Sequence, residues 1–142
     1  MIFWDTSAIV PLIIREEQTH SVKNILRDDK EMLVWWGTHT ECFSAIQRRK
    51  LEQSISDASA NHAKQLLKQI STHWTEVMPS QEVRNHAMRL LLRNPLRAAD
   101  SLQLGAAMTW ARARPLQHAF LSYDIKLNKA AEHEGFSVLG DL

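Results

Sequence analysis

Met1-Ile2-Phe3-Trp4-Asp5-Thr6-Ser7 opens with four apolar residues, stops at a carboxylate and two hydroxyls, and then gives way to a second apolar run. The pattern predicts a short buried strand, a turn, and a helix from Ala8 to Arg15 that Ser7 could cap. The same grammar recurs along the chain. Met32-Leu33-Val34-Trp35-Trp36 is an apolar run bounded by charges and Gly37, and Ala119-Phe120-Leu121-Ser122 and Phe136-Ser137-Val138-Leu139 are further strand candidates. Glu76-Val77-Met78-Pro79 is too short to assign from pattern, although a strand there would keep the alternation going.

Between these runs the apolar residues fall at helical spacing. Helices are expected over Thr19–Asp28 and from Thr38, with Cys42, Phe43, Ile46 and Leu51 as a core stripe. Others are expected over Ser56–Trp74, from Ser80 to the Asn94-Pro95 break, and over Ala98–Arg112 through Leu102, Ala106 and Trp110. A last one runs from Asp124 to Glu134, with Gly135 as its C-cap. Strands alternating with helices imply an α/β three-layer sandwich with a mostly parallel central sheet. No repeat, low-complexity tract or linker interrupts the pattern, so residues 1–142 are expected to form a single domain.

Composition narrows the class. Only 4 Gly and 4 Pro in 142 residues argue against collagen-like, disordered or hairpin-dense chains. One cysteine, Cys42, excludes an internal disulfide and suits a reducing compartment. The amino terminus has no basic segment before its first acid, and the longest apolar stretch, Ala8 to Ile14, is far too short to span a bilayer. A cytoplasmic protein with no membrane association is therefore expected.

Ligands of open parallel sheets bind beyond the carboxyl ends of the strands. Asp5 follows the first strand, Glu41 lies in the first turn of the helix after the second, and Asp124 follows the Phe120 strand. Asp100 opens the helix that leads back to that strand. Each acid also has a structural role open to it. Asp5 could cap a turn and Asp124 a helix, Thr38-x-x-Glu41 matches a capping box, and Asp100 could complement a helix dipole. Four carboxylates brought to one rim, however, repel unless protonated or bound to a cation. Hard divalent ions such as Mg²⁺ and Mn²⁺ take such oxygen ligands, and a pair of them suits phosphodiester hydrolysis.

The charge count is compatible with a polyanionic substrate. The chain carries 17 Lys and Arg against 16 Asp and Glu; with the four acids set aside, 12 acids face the same 17 bases and the remainder is +5. Candidate phosphate contacts are Arg48-Arg49-Lys50, Arg89, Arg93, Arg97, Arg112, Arg114, Lys126 and Lys129, each of which could equally be part of a solvated helix face. The seven histidines show no metal-ligand spacing, and His39 with Cys42 lacks a second pair. Trp4, Trp35 and Trp36 lie in expected strands, which favours core packing over stacking on bases.

With the acids in view, the sequence resembles the PIN-domain ribonucleases, and within them the VapC toxins. Ile2-Phe3-Trp4-Asp5-Thr6-Ser7-Ala8 looks like that family's opening strand and acid. Leu96-Arg97-Ala98-Ala99-Asp100-Ser101-Leu102-Gln103-Leu104 resembles its Leu-Arg-Ala-x-Asp-Ala-Leu-His-Leu helix, and Phe120-Leu121-Ser122-Tyr123-Asp124 its late strand-Ser-x-Asp segment. The resemblance implies that Asp5, Glu41, Asp100 and Asp124 are catalytic and hold Mg²⁺ or Mn²⁺. It implies that Thr6, Ser7 and Ser122 orient a carboxylate or coordinated water, and that the substrate is RNA. Arg97 and Lys126 would then be phosphate contacts. It further implies a homodimer and a cognate antitoxin. Gln103 stands where His is common, Gly105 where Ala is common, and Ile125-Lys126 where many relatives carry a further acid. An aspartyl-phosphate enzyme is disfavoured because residue 7 is Ser rather than a second Asp. The remaining alternative is a catalytically silent PIN fold that binds RNA or a partner.

Overall fold

The computed structural model describes residues 1–112 and 115–140. Five short strands, β1 (Ile2–Trp4), β2 (Met32–Trp35), β3 (Thr75–Val77), β4 (Ala119–Leu121) and β5 (Ser137–Val138), hydrogen-bond in the order β3-β2-β1-β4-β5. Every pairing is parallel, with Phe3 opposite Leu33 on one side and Phe120 on the other. The short Thr75–Val77 segment does form a strand, at the edge.

Successive strand residues point to opposite faces, and the core divides accordingly. Ile2, Trp4, Met32, Val34 and Leu121 pack on one face beneath the helices α1 (Thr6–Ile13), α2 (Thr19–Asp28), α3 (Thr38–Leu51) and α4 (Asp57–Ser71). Phe3, Leu33, Trp35 and Phe120 pack on the other beneath α5 (Gln81–Arg93), α6 (Ala98–Ala111) and α7 (Ile125–His133). Phe3 and Phe120 are fully buried and stack with centroids 5.7 Å apart. Removing either ring would cost about 3–5 kcal/mol. Helices on both faces of an all-parallel sheet make a three-layer α/β sandwich, as the strand–helix alternation predicts. No described helix is long and apolar enough to cross a membrane.

Several local expectations change in three dimensions. Asp5, not Ser7, caps α1, its carboxylate accepting the Ser7 N–H. On α3, Cys42, Ala45 and Ile46 are buried, while Phe43 is 44% exposed beneath the Lys64 ammonium and Leu51 is 79% exposed. Trp36 follows β2 in a turn and is half exposed, whereas Trp4 and Trp35 are in the core. The helix α6 does not present one stripe. Ser101, Gln103 to Met108 and Ala111 are all buried, because sheet, α5 and α7 surround it. Gly105 permits that fit, since a Cβ there would lie 3.0 Å from the Ala87 nitrogen and the Val83 oxygen of α5.

Candidate functional site

The sheet order changes direction at β1, whose chain successors β2 and β3 lie to one side and β4 and β5 to the other. The β1/β4 crevice is therefore the topological switch point, where parallel sheets bind ligands. Asp5 leaves β1 there and Ser122 leaves β4, and the Asp5 N–H donates to the Leu121 carbonyl at 2.9 Å. Asp5, Glu41, Asp100 and Asp124 all line one cavity of about 350 Å³ at this edge, together with Thr6 and Ser7. The four sequence-predicted acids thus come to one rim from four separate segments.

Asp5 is the most constrained of them, at 5% exposure. Its Oδ2 accepts from Ser7 Oγ at 2.6 Å, Ser122 Oγ at 2.9 Å and the Ser7 N–H at 3.2 Å. Ser7 Oγ also accepts the Tyr123 N–H and Ser122 Oγ the Asp124 N–H, and the two hydroxyls lie 3.2 Å apart, so Asp5 Oδ2 sits at the centre of a connected donor network. All three donors meet Oδ2, and no described residue hydrogen-bonds Oδ1. Burial raises the Asp5 carboxyl, the serine hydroxyls oppose it, and repulsion from Asp100 adds to the rise. Ser122 is itself clamped. Its carbonyl accepts from Asn128 Nδ2 at 2.9 Å, and Gly140 passes so close that a Cβ would fall 1.7 Å from that oxygen.

Glu41 does not form the capping box its spacing suggests. Gly37 is the N-cap of α3, and the Glu41 carboxylate turns into the cleft, where Oε1 accepts from Thr6 Oγ1 at 3.0 Å. Beneath it lies Gln103, 1% exposed. Its amide nitrogen is 2.8 Å from Thr38 Oγ1, 2.9 Å from Thr6 Oγ1 and 3.5 Å from both Glu41 oxygens. The opposite amide orientation would set an acceptor against that carboxylate. Thr6 Oγ1 accepts from that amide and gives its own proton to Glu41, and the amide also reaches the carboxylate directly. Burial raises the Glu41 carboxyl, Thr6 lowers it, and Asp5 raises it again.

Asp100 sits in the first turn of α6, where the Arg97 backbone N–H and positive charge favour its ionised form. Burial and the nearby Asp124 outweigh them and raise its carboxyl. Asp124 caps α7, its Oδ1 accepting the Leu127 N–H at 2.9 Å. The structural roles weighed for Asp5 and Asp124 are thus real, and are compatible with both facing the cleft.

The donor set is all oxygen and all anionic, with three carboxyls raised by burial and mutual repulsion, and it suits a hard divalent cation. Among the described residues no three His, Cys, Asp or Glu side chains are placed to hold a metal ion as they stand. The acids are gathered but not closed on a point, so an ion would have to draw them in. His39 and Cys42 offer no alternative centre, since the Cys42 thiol is buried and pushed far up by desolvation.

The basic residues separate. Arg48 and Arg49 line the acid cavity, as do Glu16 and Gln18 from the α1–α2 connection. Arg97 adjoins Asp100, whereas Lys126 is exposed outside the cavity lining and Lys129 lines an adjoining cavity that shares Gln18 and Tyr123. Arg93 pairs with Glu134 and does not line the acid cavity, and Arg114 lies outside the described residues. Sequence reasoning did not identify Glu16, and treated Gln103 only as a departure from a pattern.

No protein-family model and no curated protein sequence matches the chain. A solved structure described as a toxin-antitoxin complex from Klebsiella pneumoniae superposes with a TM-score of 0.62, covering 89% of this chain and 88% of that one at 14% identity. At that identity the likeness is one of fold.

Proposed function

We propose that the chain is a metal-dependent endoribonuclease, the toxin of a toxin–antitoxin pair, with Asp5, Glu41, Asp100 and Asp124 holding Mg²⁺ or Mn²⁺. The observation that carries this reading is the convergence of four carboxylates from four segments in one cleft at the switch point. None of the four takes part in a salt bridge among the described residues, and burial and mutual repulsion raise three of the carboxyls. A divalent cation bound by them would lower the pKa of an attacking water and offset charge on the phosphodiester.

The chain's own groups have defined parts in this reading. Ser7 and Ser122 hold Asp5 by Oδ2 and leave Oδ1 with no hydrogen-bond partner among the described residues. Thr6 and Gln103 hold Glu41. The solved structure of similar fold is described as a toxin-antitoxin complex, which supports the antitoxin half of the reading, and the PIN-like sequence motifs support the RNA half. A homodimer and a cytoplasmic location belong to the same reading.

The test is incubation of the purified chain with mixed transfer and ribosomal RNA fragments in Mg²⁺ or Mn²⁺, beside EDTA and Asp100→Asn controls. Cleavage that requires both the metal and Asp100 is the expected result. No cleavage above the mutant's background on any RNA in the pool, together with no binding of Mg²⁺ or Mn²⁺, would favour the silent binding module.

A further inference from the structure

The acid cavity has a second wall of opposite charge. Glu41, Ala45 and Arg48 all line it at positions i, i+4 and i+7 of α3, and so share one helix face, with Arg49 beside them. Seven residues at 1.5 Å each place Arg48 about 10 Å along the helix from Glu41. Arg49 is paired with the carboxylate of Glu16, and neither member is more than one-third exposed. Glu16 is not there by accident of a loose loop. Its N–H donates to Thr19 Oγ1 at 2.8 Å, and that hydroxyl donates to the Pro11 carbonyl at 2.7 Å, which fixes the α1–α2 connection against the cavity.

We propose that Arg48 and Arg49 form a binding site for a substrate phosphate distinct from the one facing the acids, and that Glu16 occupies Arg49 until that phosphate displaces it. The inference rests on the reading of the cleft as an RNA site and specifies how the strand lies in it. A guanidinium presents the same fork to a carboxylate and to a phosphate, so Glu16 stands where a phosphate oxygen would bind. A partly exposed ion pair of this kind is worth little, and is readily exchanged. An isolated phosphate must displace Glu16 for one contact, whereas a strand already engaged at the acids brings its next phosphates to Arg49 without a second encounter. The ligand class is therefore a single-stranded phosphodiester chain with several phosphates, running from the acids along α3.

The experiment measures anisotropy of a short fluorescein-labelled single-stranded RNA against the full chain, with Ca²⁺ in place of Mg²⁺ or Mn²⁺ as the hard cation at the acids, over a series of salt concentrations. The variants are Arg48→Ala, Arg49→Ala, Glu16→Gln and the double variant Glu16→Gln/Arg49→Ala, with Glu52→Gln on the exposed end of α3 as an equal change of net charge. Arg48→Ala and Arg49→Ala are each expected to weaken binding and to reduce the slope of log K against log salt by about 0.7. Glu16→Gln is expected to tighten binding several-fold, beyond Glu52→Gln, and that gain is expected to vanish in the Arg49→Ala background. A gain that survives without Arg49, or unchanged salt slopes in both arginine variants while the parent still cleaves RNA in Mn²⁺, would overturn the inference and leave the nuclease reading intact. A parent that neither binds nor cleaves RNA would remove both.

Discussion

Asp5 and Asp124 both cap helices at the carboxyl edge of the sheet, but they are held in different ways. Asp5 is fixed by tertiary structure. Its donors come from its own turn and from Ser122 beyond β4, and their oxygens are themselves tied to the Tyr123 and Asp124 backbone. The hydrogen bond that holds Asp124 comes from its own helix, the Leu127 N–H. Asp100, in the first turn of α6, is likewise placed by its own helix. The floor of the cleft is built before any ligand arrives, and its rim is free to adjust to one. That division fits an acid set that is gathered around a cavity without closing on a point.

The sharpest way to break this contrast is at the floor. Asp5→Asn keeps an oxygen for the serine donors, so near-ultraviolet circular dichroism is expected to remain native while metal-dependent RNA cleavage falls to the EDTA level. Cleavage that persisted would leave the floor with no part in the chemistry. Ser122→Ala removes a donor to Asp5 and the acceptor for the Asp124 N–H together. It is expected to cost about 10–100-fold in Mn²⁺ affinity, read by electron paramagnetic resonance of the free ion. Gly140→Ala should act in the same direction by displacing Ser122. Gln103→Leu acts on Glu41 through Thr6 and through loss of a long direct contact, so its expected loss of Mn²⁺ affinity is about tenfold, at the lower end of that range.

The rim is expected to respond with smaller effects and opposite sign. Asp100→Asn removes one of the repelling charges, and the melting temperature of the metal-free chain is expected to rise by about 2–4 °C, a gain that saturating Mn²⁺ cancels or reverses. The pH dependence has the same origin. Asp5, Glu41 and Asp100 are raised above their ordinary values of 3.8, 4.5 and 3.8, so just above those values the folded chain retains protons that the unfolded chain has released. Their contribution to stability is present at low pH and is lost as pH rises through the folded-state values. The metal-free chain should therefore become more stable on acidification from neutrality toward that range, measured by urea unfolding, and Mn²⁺ should remove the effect. Asp29, held below 3.8 by its bond to the Met1 ammonium, acts in the opposite sense at lower pH.

Asp5 and Asp124 were legible as edge acids because β1 and β4 end in an abrupt switch from apolar to acidic or hydroxyl residues, whereas Glu41 and Asp100 were placed by the helices whose first turns they occupy. How each acid is held was not legible. Thr38 and Glu41 have capping-box spacing, but Thr6 and Gln103 arrive from other elements and give both side chains better partners. Gln103 looked like the loss of a histidine because its role depends on α6 being buried nearly all round, which no single-face periodicity encodes. The run Arg48-Arg49-Lys50 was visible as charge, yet only the fold separates the two arginines in the cleft from Lys50, which lines another cavity. Glu16 was invisible because its place depends on the path of the α1–α2 connection.

Calorimetric titration of Mn²⁺ into the parent chain, Asp5→Asn and Asp124→Asn tests most directly whether floor and rim form one cation centre. Saturable binding by the parent, lost or severely weakened by either substitution, is the predicted result. A parent that binds no Mn²⁺, or an Asp124→Asn variant that binds it as the parent does, would contradict it.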